Sequence, residues 1–300
     1  MSRLPAVSVI VALADPSPRV AESLAGFGRE ALSVGGELLV VDGIRGGIES
    51  SFLPIGTRYL AAEPGSLVPK LWRDGLLAVQ APIVAISSAT MIPRPGWLGA
   101  LLKNLEGSER AGVGGSIEPG RGLSALDSAV YLARYLNYFR PSANAPPAGE
   151  NVLYRRDRLM AVAETWKSGF WEAEVHEHLR MLGDDFGLEP SAVLEYSGGA
   201  QFASTLNRRF RHALRYGATR PQGKWGRWQA LASPALPALL AWRIAQKFGR
   251  VGIPPGLRMG AAFPWLALVI AWSLGEGCGS GLGPLRESNV TTCKPTSLST

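Results

Sequence analysis

Acids and hydroxyls follow apolar runs at three places in this chain, and a reaction site could be assembled from them. Asp15 follows Val7–Leu13, Asp42 follows Glu37–Val41 (ELLVV) and precedes Gly43, and Ser88-Ala89-Thr90 follows Ile83–Ile86. If those runs are strands, all three groups lie at carboxyl ends, where open α/β sheets take their ligands. A carboxylate there accepts hydrogen bonds from a ligand's N–H or hydroxyl groups; the competing reading for Asp42 is an Asx turn that closes the strand, and for Asp15 a turn before Pro16. Lys70 and Arg73 follow Pro69 on an expected helix, either facing an anionic ligand or solvated. Glu172 and Glu174 begin another helical run, where acids favour the positive end of the helix whatever else they do. Arg208, Arg211 and Arg215 recur at i, i+3 and i+7 and share one helical face. His176 and His178, two apart, cannot share a face, so the pair makes no convincing zinc site.

The chain as a whole narrows the chemistry. Its 300 residues allow one large α/β domain with an accessory region, and 46% hydrophobic content excludes wholesale disorder. Eleven Lys/Arg and no Asp/Glu lie between Leu206 and Arg258, against a net charge of +7, so the remainder is net acidic. Such a block asks for an anionic partner. Its apolar interleaving favours a membrane surface over nucleic acid, for which no recognition pattern is present. Cys278 and Cys293 form no CxxC pair, which points to a reducing compartment rather than a disulfide framework. Ala6–Ala14 after Arg3 is short for a signal-peptide core and reads as a buried first strand.

Strand-like runs alternate with helical ones. Val7–Leu13, Glu37–Val41, Arg58–Ala61 and Ile83–Ile86 read as strands; Val20–Leu32, Leu67–Gln80 and Trp97–Leu105 as helices. This alternation implies a doubly wound, mostly parallel sheet. Ala111–Ile117 reads as a further strand, Leu123–Phe139 as one amphipathic helix, Pro141–Ala148 as a loop, and Trp171–Gly183 as a helix leading to Gly187–Tyr196. Beyond Arg220 the character changes: Trp228–Trp242 and Met259–Gly275 carry no charge over 15 and 17 residues. The second can span a bilayer with modest thinning; the first, short and with Pro234 and Pro237, suits an interfacial or re-entrant helix at least as well as a span, the alternative being a buried helix of a soluble domain.

These landmarks resemble the family 2 glycosyltransferases, whose catalytic domain has the GT-A nucleotide-sugar fold. The matching pieces occur in family order: VSVIVAL, ELLVVDG, DGLLAVQAPIVAI with PRPGWL, GENVLYRR, FWEAEVHEHLRMLG and RRFRHALRYG. The resemblance covers about residues 5–220 and implies a GT-A domain over 1–220, a membrane-associated helical region over 221–284, and a disordered tail over 285–300. The end of the chain is similar to the membrane tail of a bacterial subgroup.

The resemblance also implies roles. Asp42 matches the carboxylate that holds the uracil or ribose of the donor, with Asp15, Lys70, Arg73, Ser88 and Thr90 around the nucleotide. Counting back from Leu179–Gly183 sets Glu172 at the general-base position, with Glu174 as the near alternative. Gly149, Glu150, Asn151 and Trp171 fall on the acceptor side, and His176 and His178 at the surface or in the acceptor groove. The main departure is Ser88-Ala89-Thr90 where the family carries the metal-binding Asp-x-Asp. Hydroxyls are poor ligands for a hard cation, so Mg2+ or Mn2+ would be held weakly or replaced by cationic side chains. Arg208, Arg211 and Arg215 are candidates for that, or for contact with anionic headgroups. The implied activity is inverting transfer from a nucleotide-diphosphate sugar to a lipid-linked or other membrane-proximal glycan acceptor. The cytoplasmic membrane is the implied location, with the catalytic domain facing the cytoplasm. The alternatives are a nucleotide-sugar-binding domain without turnover and a membrane interaction protein.

Overall fold

The computed structural model describes residues 5–15, 17–141, 146–219 and 260–282. The strands are β1 (Val7–Leu13), β2 (Glu37–Asp42), β3 (Arg58–Ala61), β4 (Ile83–Ser88), β5 (Met91–Pro93), β6 (Gly112–Pro119), β7 (Val152–Arg155) and β8 (Phe186–Tyr196). The helices are α1 (Val20–Ser33), α2 (Val68–Ala78), α3 (Trp97–Leu105), α4 (Ala125–Arg134), α5 (Arg156–Ala161), α6 (Glu172–Met181), α7 (Phe202–Thr219) and α8 (Ala262–Leu282). The described residues of Met1–Ser124 and Arg134–Gly199 make one compact unit, and those of Ala125–Ala133 and Ala200–Thr300 a second. The Trp228–Trp242 segment and the tail from Arg286 lie outside the described residues.

In the first unit eight strands form one sheet in the order β3-β2-β1-β4-β7-β6-β8-β5. The half built on β3, β2, β1 and β4 is parallel, as the βα alternation predicts. Beyond β4 the sheet is mixed: β7 runs antiparallel to both β4 and β6, β6 is parallel to β8, and β5 is antiparallel to β8. β1 is buried along its whole length, consistent with a central strand covered on both faces.

Helix packing explains several local sequences. Pro69 occupies the first turn of α2, where its missing N–H costs nothing. Leu71, Trp72 and Leu76 face the sheet, and Gly75 lets the helix close on β1: a Cβ there would lie 2.5 Å from Ile10 Cγ2. The open N-terminus of α3 is satisfied by the buried Glu30 of α1, whose two oxygens accept from the Gly96 and Leu98 amides at 2.9 Å each. The expected helix over Leu123–Phe139 ends at Arg134, and a 3-10 turn follows at Leu136–Tyr138. That break turns Arg134, Tyr135 and Tyr138 into the first unit.

In the second unit α7 and α8 pack backbone to backbone. A Cβ at Gly275 would lie 2.4 Å from the Phe210 carbonyl oxygen, one at Gly279 2.1 Å from that of Leu214, and one at Gly217 2.3 Å from that of Glu276. The expected apolar segment therefore continues as helix through the glycines to Leu282, because their lack of a side chain permits the close crossing. Residues Ala262–Ser280 are long and apolar enough to cross a membrane. Phe263, Leu266, Ile270 and Leu274 are exposed at helical spacing along α8.

Candidate functional site

The antiparallel pairing of β7 with β4 builds the centre of the site. Ile86 pairs with Val152, and continuing that register by two residues sets Glu150 opposite Ser88 at the carboxyl end of β4. The contact is made: Ser88 Oγ donates to Glu150 Oε1 at 3.3 Å, while Ser88 and Thr90 share a hydroxyl–hydroxyl bond of 2.9 Å. Glu150 is only 4% exposed. Its Oε1 also accepts from Arg134 Nη2 at 3.1 Å, and its Oε2 has no hydrogen-bond partner among the described residues. Burial opposes the Arg134 charge, but Glu150, with Tyr135, Glu172 and Tyr196 adding to it, outweighs that and keeps the guanidinium protonated.

Glu172 arrives from the other side. It is the first residue of α6, whose entry is set by Phe170, buried against Trp72 and Tyr154 and anchored by its amide to the Pro69 carbonyl at 2.8 Å. Gly149 lies directly against it: a Cβ on Gly149 would stand 2.8 Å from both Glu172 Cβ and Cγ. Burial raises the Glu172 pKa above the ordinary carboxylate value; Arg134 and its own backbone amide oppose this, and Glu150 and Glu174 add to it. Tyr138 belongs to the same cluster, its pKa pushed up to about 12 by burial and then by Glu172. Serine hydroxyl, two carboxylates, guanidinium and phenol thus converge beyond the carboxyl end of the central strand β4, an arrangement able to bind an anion and to move a proton.

Other expected site residues have structural partners. Asp42 Oδ1 accepts from the Ile44 amide, and Oδ2 from the Ile48 amide and the Tyr59 hydroxyl, all at 2.8 Å. The Asx-turn geometry is therefore present, and the carboxylate organises the loop after β2. Arg73 bonds Asp74 at 2.6 Å, and Lys70 is exposed on α2. Asp15 is partly buried after β1. Asn151 is wholly buried: its amide donates to the Ser116 and Ala192 carbonyls at 2.8 and 3.1 Å and accepts from Trp97 Nε1 at 2.7 Å. It locks the GEN element to PRPGWL. Trp171 is the partly buried residue before α6, and Glu174 lies one turn-half further on.

His176 corrects the expectation of a surface or groove residue. It is 3% exposed, bonded to the Tyr154 hydroxyl through Nε2 at 2.8 Å and set against Phe186 at 4.5 Å. Burial, with Arg180 nearby, lowers its pKa to about 3, so it is a neutral core residue. His178 is exposed. Arg208, Arg211 and Arg215 sit on α7 in the second unit, where the neighbouring Arg209 stacks over Trp272 of α8 at 4.2 Å. Among the described residues no group of three or more His, Cys, Asp or Glu side chains converges as a metal site.

Arg134, Tyr138 and the Ser88–Glu150 contact were not expected from sequence. Arg134 lay inside a run read as one continuous helix, so nothing local marked it.

No family model matches the sequence, and no curated protein matches it. Among solved structures, the chain is similar to a mannosyltransferase of Pyrobaculum calidifontis determined with GDP-Man and Mn2+. That likeness covers 92% of this chain and 88% of the other at 16% identity, with a TM-score of 0.51. A mycobacterial protein aligns over 70% of this chain and 73% of its own at 15% identity, with a TM-score of 0.47, too low to bear on the argument. The first likeness shows that this chain shares the fold of that glycosyltransferase.

Proposed function

We propose that this protein transfers a sugar, with inversion, from a nucleotide-diphosphate sugar to a lipid-linked or membrane-proximal acceptor. The observation that carries the reading is the packing of Glu172 onto Gly149-Glu150, beside Ser88 at the carboxyl end of β4. Support also comes from the fold shared with a mannosyltransferase solved with its nucleotide sugar.

In this reading Glu172 accepts the proton of the acceptor hydroxyl. The oxygen forms its bond to the anomeric carbon from the face opposite the nucleotide, and the bond from that carbon to the diphosphate oxygen breaks. A carboxylate whose pKa is raised by burial is a better base than an ordinary one. Glu174 is the alternative base. Asp15 and the Asp42 loop, with Lys70, Arg73, Ser88 and Thr90, form the donor side; Gly149, Glu150, Asn151 and Trp171 the acceptor side. Asn151 acts by fixing the loop rather than by touching ligand.

The residues do not fit a firmly held divalent cation. The Ser88 and Thr90 hydroxyls bond each other, and the nearest carboxylate, Glu150, is already paired with Arg134. Hard cations prefer anionic oxygens free to coordinate.

The catalytic domain is assigned to 1–220 and the membrane-associated region to 221–284, at the cytoplasmic membrane with the catalytic domain on the cytoplasmic side. The exposed apolar stripe of α8 and the arginines of α7, Arg208, Arg211 and Arg215 among them, support contact with an anionic bilayer. The test is a panel of nucleotide sugars screened by thermal shift, followed by transfer assays read by the anomeric configuration of the product. A donor that stabilises and is transferred with inversion is the expected result. Stabilisation without transfer would favour a binding domain that has no turnover, and retention of configuration would exclude Glu172 as a simple base.

A further inference from the structure

We infer that Arg134, held by Glu150, is the cation that receives the diphosphate of the nucleotide, in place of a divalent metal. The inference rests on the sugar-transfer reading and adds the group that binds the leaving charge.

Two observations point to a ligand at this pair. Glu150 is 4% exposed, yet its Oε2 has no hydrogen-bond partner among the described residues. A buried carboxylate oxygen left bare is costly unless something else completes it. Its Oε1 is shared by the Ser88 hydroxyl and by Arg134 Nη2, and the Tyr135 hydroxyl also bonds the carboxylate, so the acid ties the guanidinium to the end of β4. Arg134, by contrast, retains 38% of its side-chain exposure. Among the described residues one of its five N–H donors goes to Glu150, leaving a planar fork that suits phosphate oxygens. The acid is buried and the cation reaches out, as a site for an external anion requires.

The position is the one at issue. Ser88 and Thr90 stand where the resemblance expects the metal-binding acids, and Glu150, the carboxylate bonded to Ser88, faces a fixed positive charge. A dication brought there would meet Arg134 as a like charge. A diphosphate would meet it as a partner, and Arg134 also lies close enough to Glu172 to oppose its rise in pKa. Cation, base and strand end therefore share one cluster. A preorganised guanidinium stabilises charge that develops on a leaving diphosphate without any ion having to bind first. Oε2 of Glu150 remains to accept a donor hydroxyl.

The experiment is calorimetric titration of the full chain in detergent with GDP and UDP, each against the matching nucleoside, with excess chelator or with Mn2+. The variants are Arg134→Lys and the paired Arg134→Gln/Glu150→Gln, which removes both charges and leaves no orphaned buried acid. Thermal unfolding checks that each is folded. Wild type should bind a nucleoside diphosphate with chelator as well as with Mn2+. The paired variant should lose about 10- to 100-fold of the diphosphate's advantage over the nucleoside, and the lysine variant less. Binding that vanishes with chelator, returns with Mn2+ and is unchanged in the paired variant would overturn the inference while leaving sugar transfer standing. Wild type that binds no nucleotide under either condition would overturn both.

Discussion

The α-carbon of Gly149 faces Glu172 so closely that a methyl group there would lie 2.8 Å from the glutamate Cβ and Cγ. These are the stem of the side chain, not its mobile end, so the carboxylate would have to move. Gly149→Ala should therefore lower kcat by at least about tenfold, since small misplacements of a reacting group are costly. Nucleoside diphosphate affinity should stay near wild type. Calorimetry and initial rates on one preparation check this; a variant with normal kcat would mean that Glu172 does not act from this position.

Asp42 makes a different prediction. Its carboxylate receives two amides and the Tyr59 hydroxyl, so Asp42→Ala takes the acceptor from three part-buried donors and should cost about 1 kcal/mol of stability or a little more. Nucleotide affinity should fall with it, because the loop after β2 loses its organiser. Tyr59→Phe removes one of the three bonds and should show a smaller version of both effects. Denaturant unfolding beside nucleotide titration measures the pair; a stable Asp42→Ala chain with unchanged affinity would remove the loop from the site.

The neutral His176 sets an acid limit on stability. Its folded pKa of about 3 lies below the 6.5 of an unperturbed histidine, so between those values the unfolded chain binds the extra proton. Stability contributed by this residue is therefore complete above about pH 6.5 and declines as pH falls, at a slope of at most about 1.4 kcal/mol per pH unit. Unfolding curves from pH 7 to pH 5 should show this decline, and it should flatten in His176→Gln.

The crossing of α7 and α8 has no room for side chains. Gly279→Leu places a branched chain against the Leu214 carbonyl, where even a Cβ would approach to 2.1 Å, and should separate the two helices. If the pair works as a membrane anchor, flotation with anionic vesicles should weaken in this variant. It should weaken also when Phe263 and Ile270, both exposed on α8, become Gln. Flotation unchanged in both would place membrane attachment elsewhere.

Much of this was legible in the sequence for a physical reason. β1, β2 and β4 are buried apolar runs closed by turn residues, and the helices between them carry their apolar residues at regular spacing. Local periodicity reports such elements directly. The position of Glu172 at the head of α6 was likewise readable, from its distance to the Gly183 that ends the helix. What local pattern cannot carry is partner choice between distant strands. The antiparallel pairing of β7 with β4 brings together Ser88 and Glu150, 62 residues apart, and no signal in either segment announces it. His176 was readable in principle: with Val175 and Leu179 it forms the buried face of α6, but a polar side chain at that spacing is ordinarily assigned to solvent. Arg134 was hidden because the chain leaves its helix there without a proline or glycine to mark the break.

The central claim is that Glu172 takes the acceptor's proton, and the most direct measurement is transfer by Glu172→Gln from the donor selected in the nucleotide-sugar screen. Because burial raises the glutamate's pKa, its charged form is disfavoured in the folded chain, and the stability it contributes declines as pH rises from the ordinary carboxylate value through the raised folded one. The glutamine variant should therefore be folded and no less stable than wild type at neutral pH. Its kcat should drop by about 10²–10⁴-fold with donor affinity unchanged, and the acid limb of the pH–rate profile, lying above the usual carboxylate value in wild type, should disappear. Near-normal transfer by folded Glu172→Gln, with loss instead in Glu174→Gln, would contradict the account and move the base two residues along α6.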